Sequence, residues 1–71
     1  MKILANLEKG FEGTIVEIKT DRDDIIRKLM AMGVFPGSSI KVIQTFPSYV
    51  FQVGYTQVAV DKEIARTIVV E

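Results

Sequence analysis

The apolar positions of this chain change their period several times, and each change marks an element. Thr14-Ile15-Val16-Glu17-Ile18-Lys19 is rich in β-branched residues and partly alternates. It reads as a strand with Val16 and Ile18 on one face and Ile15 and Glu17 on the other. Ile25, Ile26, Leu29, Met30 and Met32 then recur at three- and four-residue spacing. That stripe predicts a helix over residues 21–32, with Arg27 and Lys28 on its wet side. Thr20 or Asp21 is expected to cap its free amides, and the acids that follow suit the positive end of the helix dipole. Gly33 is expected at positive φ just past the helix, and Pro36-Gly37 marks a turn from which no helix can restart.

Period two returns after the turn. Ser39 to Phe46 predicts a strand with Ile40 and Val42 inward and Lys41 outward, broken by Pro47-Ser48. Tyr49 to Val53 and Gln57 to Val60 predict a hairpin around Gly54-Tyr55-Thr56. Asp61 can cap a helical turn over residues 61–66, and Thr67 to Val70 is the last strand. Ahead of all this, Lys2 to Lys9 carries Ile3, Leu4 and Leu7. The glycines of Lys9-Gly10-Phe11-Glu12-Gly13 permit positive φ or a close backbone approach. Five or six short strands with tight connections predict a mainly β protein, a small antiparallel barrel whose closure removes exposed edges. Residues 1–71 are expected to form one domain.

Composition narrows the chemistry. The 71 residues carry nine basic and nine acidic side chains, so there is no charge excess to hold a polyanion. There is no cysteine and no histidine, which removes disulfides, thiolate sites and imidazole. Ser38, Ser39 and Ser48 lie in turn segments without a nearby base, and no pair of acids suggests a tuned general acid. The expectation is a protein without catalytic residues or a cofactor. Asn6 and Glu8 interrupt the N-terminal apolar run, which argues against a signal peptide. No apolar run approaches the roughly 20 residues that cross a bilayer. The expected location is cytoplasmic.

Taken in order, these pieces resemble the FeoA family of bacterial ferrous-iron transport accessory proteins. The residues that carry the resemblance are Leu7; Gly10, Gly13, Ile15 and Ile18; Leu29, Gly33, Pro36, Gly37, Ile40 and Val42; and Val58, Ala59, Val60, Ala65, Ile68 and Val70. Phe46-Pro47-Ser48-Tyr49 departs from the Gly-Asp-Pro-like turn of many members. The resemblance implies a Src-homology-3-like barrel with one inserted helix. The same domain closes metalloregulators of the diphtheria-toxin-repressor type. It further implies a non-enzymatic partner of the FeoB permease, which has a cytosolic GTPase domain. Contact with the inner membrane would then run through that partner. No metal site is carried over.

Candidate contact residues fall in two groups. Met32, Val34 and Phe35 at the helix corner are either core or docking surface, with Phe35 the best outward candidate because it lies in a loop. Tyr49 and Phe51 share a strand face with Val53, and Tyr55 follows; that row is either barrel core or an aromatic patch of the kind enriched at interfaces. The partner-binding set is therefore Val34, Phe35, Tyr49, Phe51 and Tyr55. Asp21-Arg22-Asp23-Asp24 reads as a capped, solvated helix start in preference to a hard-metal loop, which needs a longer regular spacing. Lys9 to Ile18 also looks like the KOW motif of nucleic-acid-binding barrels, yet Glu12 and Glu17 sit where a phosphate clamp would be basic. A KOW-type barrel and a free-standing metalloregulator-like sensor are the alternative functions.

Overall fold

In the computed structural model, which describes all residues 1–71, β2 (Glu12–Ile18) is the longest strand and the pivot of the sheet. It pairs with β3 (Ser39–Gln44) through Glu12 to Thr14, and with β6 (Ile68–Val70) through Ile15 to Ile18. β3 continues to β4 (Tyr49–Val53) and β5 (Thr56–Val60), while β1 (Lys2–Ile3) flanks β6. The order is β1-β6-β2-β3-β4-β5, with every pairing antiparallel. A single 3-10 turn, Leu4–Asn6, follows β1; α1 (Asp23–Ala31) lies between β2 and β3; and α2 (Lys62–Ala65) joins β5 to β6.

Fourteen buried apolar residues form one core, drawn from every strand except β1 and from both helices. No polar side chain is buried. The accessible surface is 4494 Å², close to the ~4400 Å² expected of a compact 7.9 kDa monomer.

Three expectations need correction. The face assignment in β2 fails because a bulge falls between Ile15 and Glu17. An extra residue there shifts the alternation, so Ile15 is buried and Ile18 packs on the same core while Glu17 stays in water. The helix starts at Asp23 and not at residue 21, and neither Thr20 nor Asp21 caps it. Arg22 is the cap residue, without a side-chain cap bond; the Thr20 hydroxyl accepts from the Arg22 N–H at 3.2 Å instead. Finally, Ile25 and Leu29 enter the core but Met30 is 38% exposed.

Other local readings hold. Asp61 Oδ1 accepts from the Ile64 N–H at 2.9 Å and caps α2. Gly10 has φ +96° in a turn where the Phe11 N–H donates to the Glu8 carbonyl at 3.1 Å. Gly13 serves the other purpose: a β-carbon on it would run into the Glu71 carbonyl and come within 2.8 Å of the Phe11 ring.

Candidate partner-binding surface

The helix corner is built from two interlocking turns. Gly33, at φ +89°, donates to the Met30 carbonyl, and Val34 donates to the Leu29 carbonyl, each at 3.0 Å. That bond pair is the Schellman motif, in which the residue after the glycine packs back against the last turn of the helix. Val34 and Leu29 are accordingly both fully buried. Phe35-Pro36-Gly37-Ser38 follows as a second turn. Ser38 donates to the Phe35 carbonyl at 3.0 Å, and Gly37 has φ +96°. Proline and then a positive-φ glycine at the two central positions make it a type II turn. The Gly37 N–H donates to the Ile15 carbonyl at 2.7 Å, and the Ile15 N–H to the Ser38 carbonyl at 2.9 Å. The corner is thereby bonded to the middle of β2. Phe35 stands between the two turns, 46% exposed.

The hairpin row divides in the same way. Phe51 is fully buried and opposes Val58 across the β4–β5 pair. Tyr49 is half-buried, and its hydroxyl donates to the Ala5 carbonyl at 3.0 Å. Tyr55 is fully exposed beside Gly54 in the two-residue turn, where Gly54 has φ +60° and Tyr55 does not. Glycine at the first central position is the mark of a type II′ hairpin turn. Of the five candidates, Tyr55 reaches solvent freely, Phe35 with about half of its surface, and Tyr49 in part. Val34 and Phe51 are core residues, a correction with one cause in each case: the Schellman contact, and the inward face of β4.

Met1, Met30 and Phe46 are exposed apolar residues that the sequence pattern did not single out. Phe46 is 84% exposed, and Met30 is exposed on the last turn of α1. The alternation from Ile40 through Val42 would turn Phe46 inward, but a bulge between Val42 and Gln44 resets it. Pro47 directly after Phe46 was the available signal, since proline ends pairing.

The charged groups gather elsewhere. Arg22 bonds Asp24 at 2.7 Å and reaches Glu63 at 3.3 Å, tying the start of α1 to α2 at the surface. The Arg22 hydrogen bond holds the Asp24 carboxyl below its usual range and raises the guanidinium above its own. No three acidic side chains converge on a point that could hold a metal ion. No helix is long and apolar enough to cross a membrane.

A model of the FeoA domain matches residues 2–71, nearly the whole of the chain that builds these elements. The chain belongs to the FeoA domain family. Comparison by sequence with curated proteins returns no match. Among solved structures, this FeoA domain is similar to an iron uptake regulatory protein, also an FeoA, at 28% identity and TM-score 0.87. That match covers 97% of this chain and 92% of the other. It is also similar to IdeR of T. acidophilum at 25% identity and TM-score 0.91, covering 97% of this chain but only 32% of the regulator. FeoA of Stenotrophomonas maltophilia, an SH3 domain protein solved with zinc, matches at 22% identity and TM-score 0.86, over 100% and 91% of the two chains. The barrel is of the Src-homology-3-like FeoA type, and the family is associated with ferrous iron transport.

Proposed function

We propose that this FeoA domain is a non-enzymatic accessory protein of bacterial ferrous iron uptake that works by protein contact with a FeoB-type permease. The reading rests on family membership across residues 2–71. One structural observation supports a contact surface at the helix corner: a large apolar side chain, Phe35, half in solvent on a hydrogen-bonded corner. The Schellman and type II turns fix the backbone on both sides of Phe35, so the side chain is presented from a rigid base. Such preorganisation lowers the entropy lost on binding. Met30 and Pro36, close to Phe35 in the sequence, are exposed as well, with Tyr55 a separate candidate on the β4–β5 turn. With zero net charge, contact by shape and apolar burial is favoured over electrostatic steering.

A resident metal plays no part in this reading. The Stenotrophomonas relative was solved with zinc, but imidazole and thiolate, the donors zinc prefers, do not occur in this chain. The same lack argues against a sensor role of the IdeR kind.

Phe35→Asp tests the reading. An exposed position tolerates the change, so the melting temperature should stay within a few degrees. Recovery of the permease from detergent-solubilised native membranes should fall by about thirtyfold in affinity, the equivalent of about 2 kcal/mol for an aromatic hot spot. Unfolding of the variant would make Phe35 a core residue. A folded variant with full binding and full iron uptake would remove the corner from the interface.

A further inference from the structure

A groove of about 690 Å³ runs beside the N-terminal strand, well away from Phe35 in the sequence. Its apolar surface comes from Met1, Ile3, Leu7 and Phe11; Lys2, Asn6, Glu8 and Lys9 line the rest. Met1 is 83% exposed there, while Leu7 and Phe11 pack partly on the core. The wall is fixed. The Phe11 ring lies so close to Gly13 that any β-carbon would displace it, and the Lys2 ammonium sits 5.2 Å from the ring centroid. A cation at that distance is held by the ring quadrupole.

β1 is one end of the sheet, and no other segment pairs with its outer side. An open strand edge accepts an extended chain by main-chain hydrogen bonds, with side-chain pockets giving selectivity. Here the edge residues Lys2 and Ile3 themselves line the groove. The rim holds two lysines against one glutamate and so favours an acidic occupant. The Asn6 side chain makes no hydrogen bond within the chain and has both a donor and an acceptor to offer a backbone.

We propose that this groove binds an extended segment of a partner protein, an apolar side chain flanked by acidic ones, laid along the outer edge of β1. The apolar side chain enters between Leu7 and Phe11, and the carboxylates meet Lys2 and Lys9. A second copy of the chain fits worse, because pairing two β1 edges brings the lysine rims together. An anionic membrane or a nucleic acid fits worse too, since polybasic surfaces gather several lysines and this groove has only two, beside a glutamate. The proposal is independent of the Phe35 corner.

The probes are nine-residue peptides with a central Phe, Leu, Ile or Tyr between aspartates, with lysine-flanked and glycine-centred controls. Binding is read from backbone amide shifts of the ¹⁵N-labelled protein. At least one aspartate-flanked peptide should shift the Lys2, Asn6, Leu7 and Phe11 amides, and both controls should not. Lys2→Glu with Lys9→Glu should weaken it by about tenfold or more, while Phe35→Asp leaves it unchanged. Absence of shifts from every aspartate-flanked peptide at millimolar concentration overturns the proposal. So does equal binding of the controls, a map elsewhere on the fold, or groove shifts caused only by self-association or by phosphatidylglycerol vesicles.

Discussion

At Gly33 the backbone holds φ +89°, and a β-carbon there would meet nothing within 4 Å. Space is free, so the cost of a side chain is wholly conformational. At Gly13 a β-carbon would strike the Glu71 carbonyl and the Phe11 ring, so the cost there is contact. The two positions should respond differently. Gly33→Val should lose about 1–2 kcal/mol through the left-handed penalty, and Gly33→Asn distinctly less, because asparagine tolerates that region. Gly13→Ala should lose about 1–3 kcal/mol, as overpacking does, and Gly13→Asn should be worse still. Urea denaturation of the four variants checks this; equal losses for Asn and Val at position 33 would contradict the conformational account. Both glycines were legible in the sequence as special, and Gly33 even as a helix stop. That Gly13 must admit a carbonyl from the other end of the chain was not, because Glu71 is a partner only after folding.

Among the elements, the two helices end and begin by different chemistry. α2 is only four residues long, and Asp61 closes its first turn by accepting from Ile64. Asp61→Ala should therefore lower stability by about 1 kcal/mol, with Asp61→Asn retaining most of it. Asp21 looked equally suited to cap α1 but its side chain makes no hydrogen bond, so Asp21→Ala should cost less than about 0.5 kcal/mol by urea denaturation. A larger loss at Asp21 than at Asp61 would reverse the assignment. The bulges carry the other lesson at this scale. Period two predicted β3 and β4 almost to the residue, yet one extra residue at Ile15–Glu17 and another at Val42–Gln44 moved what followed to the opposite face. A bulge is set by the neighbouring strand's register, which a local pattern does not contain.

For the whole molecule, a domain of 71 residues has about 4–11 kcal/mol of stability to lose. Phe51 is the largest fully buried side chain, so Phe51→Ala should remove about 3–5 kcal/mol and leave the fold marginal. Tyr55→Ala, four residues on, should stay within about 0.5 kcal/mol. Thermal melts of the pair separate core from surface within what the sequence presented as one aromatic row. Similar losses at both sites would mean that Tyr55 packs in solution.

The sequence by itself determined the element order, the Gly33 stop, the Pro36-Gly37 turn and the Asp61 cap, because each follows from backbone preferences within a few residues. Through those motifs it also determined the family. Only the tertiary structure decided which apolar residues are available to a partner. Val34 is claimed by Leu29 and Phe51 by the facing strand, whereas Phe35 and Phe46 are left in water by a turn and a bulge. Burial is a property of distant segments meeting, and a chain this short has too few of them to cover every large side chain it carries.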